Sequence, residues 1–178
     1  MFSKVLVANR GEIAVRIIRS LKELGIKAVA IYSTVDKESL HVQLADEAVC
    51  VGKAHPKDSY LNIQNILAAA IGTGAQAIHP GFGFLSENSR FAEMCTACGI
   101  TFIGPSAQTI ELMGNKANAR LQMQNKQIPV IPGSQVFLSD VNEAVKVAQK
   151  IGYPLLLKAV AGGGGKGIRK DPPYLQSW

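Results

Sequence analysis

Short apolar runs alternate with amphipathic stretches along the N-terminal part of the chain, and that alternation leaves very few folds open. Residues 4–8, Lys-Val-Leu-Val-Ala, read as a strand. Ile13, Ile17, Leu21 and Leu24 then recur at helical spacing until Gly25 stops the run. Residues 28–32, 48–51, 77–79 and 101–103 supply further strands, with a helix expected over 61–71 and another carrying Phe91, Met94, Cys95 and Cys98. Strands and helices in this order make a parallel sheet with helices on its faces. Such sheets collect ligands at the carboxyl ends of their strands. Asn9-Arg10-Gly11-Glu12 and His79-Pro80-Gly81-Phe82-Gly83 are therefore expected on one rim.

The punctuation of the chain is equally specific. Gly72-Thr73-Gly74 resembles the start of a dinucleotide fingerprint, but it follows a helix and precedes a strand, so it reads as a helix end. Ser86 is expected to cap the helix carrying Phe91, with Glu87 and Asn88 in its first turn, and Ser106 to cap one that stops at Gly114. Lys116 opens a further helix with Ala117, Leu121 and Met123, which puts a domain boundary between 114 and 115. After a loop over 129–133, Ser139 or Asp140 caps a helix with Val141, Ala144, Val145, Ala148 and Ile151 on one face, and Gly152 follows it.

That helix leads into Pro154-Leu155-Leu156-Leu157-Lys158, then Gly162-Gly163-Gly164-Gly165-Lys166-Gly167-Ile168-Arg169. The apolar run reads as a strand and the glycines as a loop whose bare N–H groups can approach an anion, with Lys158 and Lys166 adding positive charge. It is not a Walker A loop, since Val160 replaces the first glycine and Gly167 the magnesium-binding Ser or Thr. Nor does it open a Rossmann helix, because Lys170-Asp171-Pro172-Pro173 cannot continue one. A glycine flap between two strands, closing over phosphates, remains. A flexible linker is the plainer alternative, although an apolar run ending in lysine is not linker composition.

Composition excludes several classes. The net charge of +6 suits anionic partners, but Lys and Arg are scattered and aromatics make up only 6% of the 178 residues, which argues against nucleic acid. No run reaches the ~18 apolar residues of a membrane span, and the start shows no signal peptide, so a cytoplasmic protein is expected. Cys95 and Cys98 form the one close cysteine pair. Without a second pair they read as core residues of a helix and not as a zinc site.

Five stretches taken together carry a resemblance: residues 7–14 (Val-Ala-Asn-Arg-Gly-Glu-Ile-Ala), 77–88 (Ala-Ile-His-Pro-Gly-Phe-Gly-Phe-Leu-Ser-Glu-Asn), 102–105, 113–116, and 152–154 continuing through 162–169. In this order they resemble biotin carboxylase, the ATP-grasp subunit of acetyl-CoA carboxylase, whose module pyruvate and propionyl-CoA carboxylases also carry. The resemblance implies an α/β fold: a Rossmann-like N-terminal domain over 1–114, then an incomplete ATP-grasp domain over 115–178, in which 170–178 depart from the family pattern and read as a foreign or truncated end. It implies ATP-dependent activation of bicarbonate, with Mg²⁺, followed by carboxylation of biotin on a biotin carboxyl carrier protein that serves a carboxyltransferase.

By the same resemblance, Lys116 and Lys158 hold ATP phosphates, Gly162, Gly163, Gly164, Gly165 and Lys166 form the lid, and Leu156 and Ile168 lie near the adenine. Phe82 and Gly83 fall near biotin, although many relatives have Tyr where Phe82 stands, so a hydroxyl contact is missing. Arg19 and Glu23 match residues of a homodimer interface; their spacing fits an ordinary surface ion pair equally well. The metal-binding glutamates and catalytic residues of the family are expected downstream, so none is assigned here. Two charge-assisted lysine contacts contribute about 1.5–3 kcal/mol each, against an association cost of ~4–15 kcal/mol, so tight ATP binding by this stretch alone is not expected. A non-catalytic dimerising module, another ATP-grasp ligase of the carbamoyl-phosphate synthetase type and a nicotinamide-dependent dehydrogenase are the alternatives.

Overall fold

The computed structural model describes residues 1–134, 138–158 and 168–171. The chain divides into two compact units, Met1–Gly114 and Asn115–Trp178. In the first, β1 (Lys4–Val7), α1 (Gly11–Glu23), β2 (Lys27–Ser33), α2 (Leu40–Leu44), β3 (Glu47–Gly52), α3 (Ile63–Thr73), β4 (Ala77–His79), α4 (Ser89–Ala97), β5 (Thr101–Phe102) and α5 (Ala107–Gly114) follow in order, with a 3-10 turn at Pro56–Asp58. The five strands form one parallel sheet in the order β3-β2-β1-β4-β5.

Alternation along the strands builds the two cores. Val5 and Val7 of β1 and Ala28 and Ala30 of β2 pack with Ala14, Ile17, Ile18 and Leu21 of α1. Leu6, Ala8, Val29 and Ile31 face the other way, onto Ile66 and Leu67 of α3 and Phe91 and Cys95 of α4. Each fully buried aliphatic side chain contributes about 1.5–3 kcal/mol of transfer free energy, which explains why short strands of four to seven residues hold.

Helix ends mostly follow the sequence signals. Asn62 accepts from the Asn65 N–H at 3.0 Å, and α3 ends at Gly74, a left-handed cap with φ 69°, as expected for a helix end. The cap of α4 differs from expectation. Asn88 caps it, accepting from Phe91 N at 2.8 Å, whereas Ser86 belongs to a tight turn in which its N–H donates to Gly83 O. The rim loop stays wound until residue 88. The α2 helix and the 3-10 turn carry no strong periodicity and were not anticipated. Gly52 permits the return from that turn: at φ 152° a Cβ there would lie 1.7 Å from the Asp58 carbonyl oxygen.

The second unit contains α6 (Lys116–Asn125), α7 (Val141–Ile151), β6 (Leu155–Lys158) and β7 (Ile168–Asp171). Asp140 caps α7 by accepting from Glu143 N at 3.2 Å. β6 and β7 pair antiparallel, so the glycine stretch connects two strands of a hairpin, as expected; its glycines lie outside the described residues. Among the described residues of this unit none is buried.

Candidate functional site at the sheet's rim

Chain order reverses between β1 and β4, which are neighbours in the sheet but far apart in sequence. The loops leaving these two strands therefore flank a switch-point crevice at the carboxyl edge. Asn9, directly after β1, is 3% exposed and spans it: Nδ2 donates to Pro80 O and to Phe82 O, each at 2.7 Å, while Oδ1 accepts from Arg10 N at 2.9 Å. On the other side His79 Nδ1 accepts from Gly81 N at 3.1 Å. Burial pushes the His79 imidazole below its ordinary value, favouring the neutral ring this acceptor role requires.

A second network lies beside it. The Arg10 guanidinium grips Asp36 through Nε (3.1 Å) and Nη2, and Asp36 Oδ2 also accepts from Ser33 Oγ and Tyr60 Oη at 2.7 Å. Tyr60 Oη in turn accepts from Ser33 N at 3.0 Å, and its ring stacks on Phe84 with centroids 5.2 Å apart. Burial raises the Asp36 carboxyl, but hydrogen bonds from Arg10, Tyr60 and Ser33 outweigh it and bring the pKa down to about 2. The Arg10 cation is raised correspondingly by its bond to Asp36.

The structure brings the rim residues together as expected. Phe82 is 61% exposed, and Gly83 beside it takes φ 68°. Arg19 and Glu23 are exposed on α1, where they line an open groove with Glu12, Arg16, Ser39 and Leu40. No ion pair joins the two; among the described residues the ion pairs are Lys4–Glu47 and Arg10–Asp36. Lys116 is the first residue of α6 and Lys158 the last of β6. Leu156 stands opposite Lys170 and Ile168 opposite Lys158, so positions 156 and 168 fall on one side of the hairpin, and both side chains are about half exposed. Gly162, Gly163, Gly164, Gly165 and Lys166 lie outside the described residues.

Asp36 and Tyr60 were missed from the sequence. A lone acid after a strand and a lone tyrosine in a turn give no signal by themselves; only the fold joins them across 24 residues. The cysteines follow the core reading in part: Cys95 is buried, its thiol pushed up to about 12 by burial, while Cys98 is exposed.

The family pattern "Biotin carboxylase, N-terminal domain" matches residues 1–110. The chain belongs to the biotin carboxylase family. The pattern "Carbamoyl-phosphate synthase L chain, ATP binding domain" matches residues 115–171. "Biotin carboxylase 1" of Bacillus subtilis is 58% identical over 95% of this chain and 38% of its own length, and the chloroplastic biotin carboxylase of Arabidopsis thaliana is 57% identical over 95% of this chain and 32% of its own. Among solved structures, a Campylobacter jejuni biotin carboxylase in complex with β,γ-ATP superposes with a TM-score of 0.91 at 50% identity, covering 96% of this chain and 38% of that one. The biotin carboxylase domain dimer of Hydrogenobacter thermophilus 2-oxoglutarate carboxylase, with MgADP, ADP and bicarbonate, gives 0.90 at 56% identity, covering 96% and 37%. The chain thus spans roughly a third of the length of these relatives, 32–38%. Family membership accounts for the Rossmann-like first unit and the opening of an ATP-grasp domain after it.

Proposed function

We propose that the chain supplies the N-terminal domain and the first part of the nucleotide lid of a biotin carboxylase. The enzyme would use ATP, Mg²⁺ and bicarbonate to carboxylate biotin on a biotin carboxyl carrier protein, from which a carboxyltransferase takes the carboxyl group. One observation carries this reading: nearly the whole chain is similar, at 50% identity or more, to proteins named biotin carboxylase, one solved with an ATP analogue and one with bicarbonate.

Phosphoryl transfer needs charge on the phosphate oxygens neutralised, work for Lys116, Lys158, Lys166 and the N–H groups of Gly162 to Gly165. Leu156 and Ile168, half exposed on one side of the hairpin, offer an apolar surface to a purine. Phe82 and Gly83 would face biotin. Among the described residues no three His, Cys, Asp or Glu side chains gather into a metal site, so Mg²⁺ would be held by the nucleotide phosphates and by groups beyond these residues. The groove carrying Arg19 and Glu23 would meet a second copy, a reading supported by the dimeric neighbour.

The parent is read as acetyl-CoA carboxylase in cytoplasmic fatty acid synthesis. Relatives named as parts of 2-oxoglutarate carboxylase and pyruvate carboxylase are similar over the same stretch. No described helix is long and apolar enough to cross a membrane. A carbamoyl-phosphate synthetase parent would share the pattern over 115–171 but not the one over 1–110, and a dehydrogenase fingerprint with Gly11 as its second glycine would need glycine where Asn9 stands.

Joining this chain to the remaining residues of the Bacillus subtilis relative tests the assignment. The chimera is expected to hydrolyse ATP only with bicarbonate and free biotin present, and the chain alone is expected to show no such turnover. A folded chimera whose ATP hydrolysis ignores biotin would overturn it.

A further inference from the structure

The loop after β4 cannot hold its own shape. Gly81 and Gly83 take φ 65° and 68°, and Phe84, which carries a side chain, takes φ 41°. A non-glycine residue in that region costs on the order of 1 kcal/mol or more and persists only where its surroundings impose it. Two separate anchors do so. At the far end, Phe84 is stacked on Tyr60, whose hydroxyl is tied to Asp36 and to Ser33 N. At the near end stands Asn9, with both amide hydrogens committed to the carbonyls of Pro80 and Phe82.

The near anchor is the more specific one. A carboxamide is the side chain that can donate twice from one nitrogen while its oxygen accepts from the neighbouring N–H, and each of these bonds is filled here. The fit is close: a Cβ on Gly81 would lie 2.8 Å from Asn9 Nδ2 and 3.2 Å from Ile13 Cγ1. With its carbonyl held by Asn9, Phe82 is 61% exposed.

We infer that Asn9 is the positioning residue of this loop, setting the direction in which Phe82 and Gly83 are presented and hence the pose of the heterocyclic ligand assigned to them. The part concerning the ligand rests on the function proposed above; the part concerning the loop does not.

Asn9→Asp keeps the shape, removes both donors and sets a carboxylate against two carbonyl oxygens. Hydrogen exchange read by mass spectrometry should show the peptide covering 80–86 exchanging at least about tenfold faster, while peptides from β2 and α3 change by less than about twofold. Gly81→Ala leaves Asn9 in place but displaces its carboxamide, and the same local change is expected. Unchanged exchange in the loop, or a uniform rise across all peptides, would overturn the inference. Should Asn9→Asp fail to fold, the unaltered chain still decides: the Asn9 side-chain N–H protons should exchange about a hundredfold more slowly than those of the exposed Asn118, and equal rates would refute the clamp. Free biotin then separates the two parts. Read in the chimera with the remaining Bacillus subtilis residues, amide shifts at Phe82 and Gly83 that weaken in Asn9→Asp support both, whereas no shifts in the unaltered chimera remove the ligand assignment and leave the exchange result standing.

Discussion

The two units draw on the same kinds of element and differ in what those elements cover. In the first, both faces of the central strands β1 and β2 are covered, and Val5, Leu6, Ile18, Ile66, Ile78 and Phe91 have no exposed surface. In the second, α7 carries an equally regular apolar stripe, yet Val141 is 77% exposed, Val145 45% and Ile151 37%. Ala144 and Ala148, on the same face, are only half-buried. Amphipathic periodicity thus specifies a helix without specifying what the helix packs against. The first unit is a finished scaffold that presents a rim. The second holds the start of an ATP-grasp domain on elements whose apolar faces stay open among the described residues.

The largest expected effect separates the units by core substitution. Phe91 is fully buried and meets Phe102 edge-on at 5.9 Å, so Phe91→Ala should destabilise the first unit by about 3–5 kcal/mol in urea denaturation. Val145→Ala on α7 should cost less than about 0.5 kcal/mol. Similar losses at the two sites would break the comparison.

Next is Tyr60→Phe, which keeps the ring on Phe84 but removes the hydroxyl that donates to Asp36 and accepts from Ser33 N. A buried network left one partner short costs about 1–3 kcal/mol. Equilibrium unfolding should register that loss while far-UV circular dichroism stays unchanged.

The acid response sharpens the contrast further, because among the described residues the groups with lowered pKa lie in the first unit. Burial holds His41 and His79 below their ordinary 6.5, so the unfolded chain takes up protons first and stability begins to fall as pH drops below about 6.5. Asp36, brought from 3.8 to about 2, contributes stability present above pH 4 and lost between about 4 and 2. That contribution is about 1–2 kcal/mol, allowing for the half-exposed Arg10 partner. Urea midpoints followed from pH 7 downward should show both limbs, and Asp36→Asn should flatten the lower one; a lower limb that persists in that variant would mean other carboxylates carry it.

How much of this could be read from the residues depended on range. The five strands, the helices on the sheet's faces and the rim shared by Asn9 and residues 79–83 were legible, because period-2 and period-3.6 patterns and helix-stopping glycines are local signals. The capping shift from Ser86 to Asn88 was not, since both are good caps and the choice was made by the left-handed turn at Gly83 and Phe84. Asn9 was placed on the rim but not recognised as a clamp. Its two acceptors are backbone carbonyls more than 70 residues away, and carbonyls have no letter in a sequence. The ATP-facing assignments rested on family resemblance; of them the fold adds the hairpin register that sets positions 156 and 168 on one side.

The smallest effect probes the open face itself. Val145→Glu replaces an apolar residue by a better helix former on a helix already capped by Asp140. With 45% of Val145 exposed, little transfer free energy is lost, and the change in unfolding free energy should stay within about 0.5 kcal/mol of zero. A loss of ~2 kcal/mol or more would instead mean that the stripe is covered in solution. Sedimentation of the variant beside the unaltered chain would then tell whether the cover is a second copy, lost together with the stability, or the chain's own remaining residues, in which case the mass would not change.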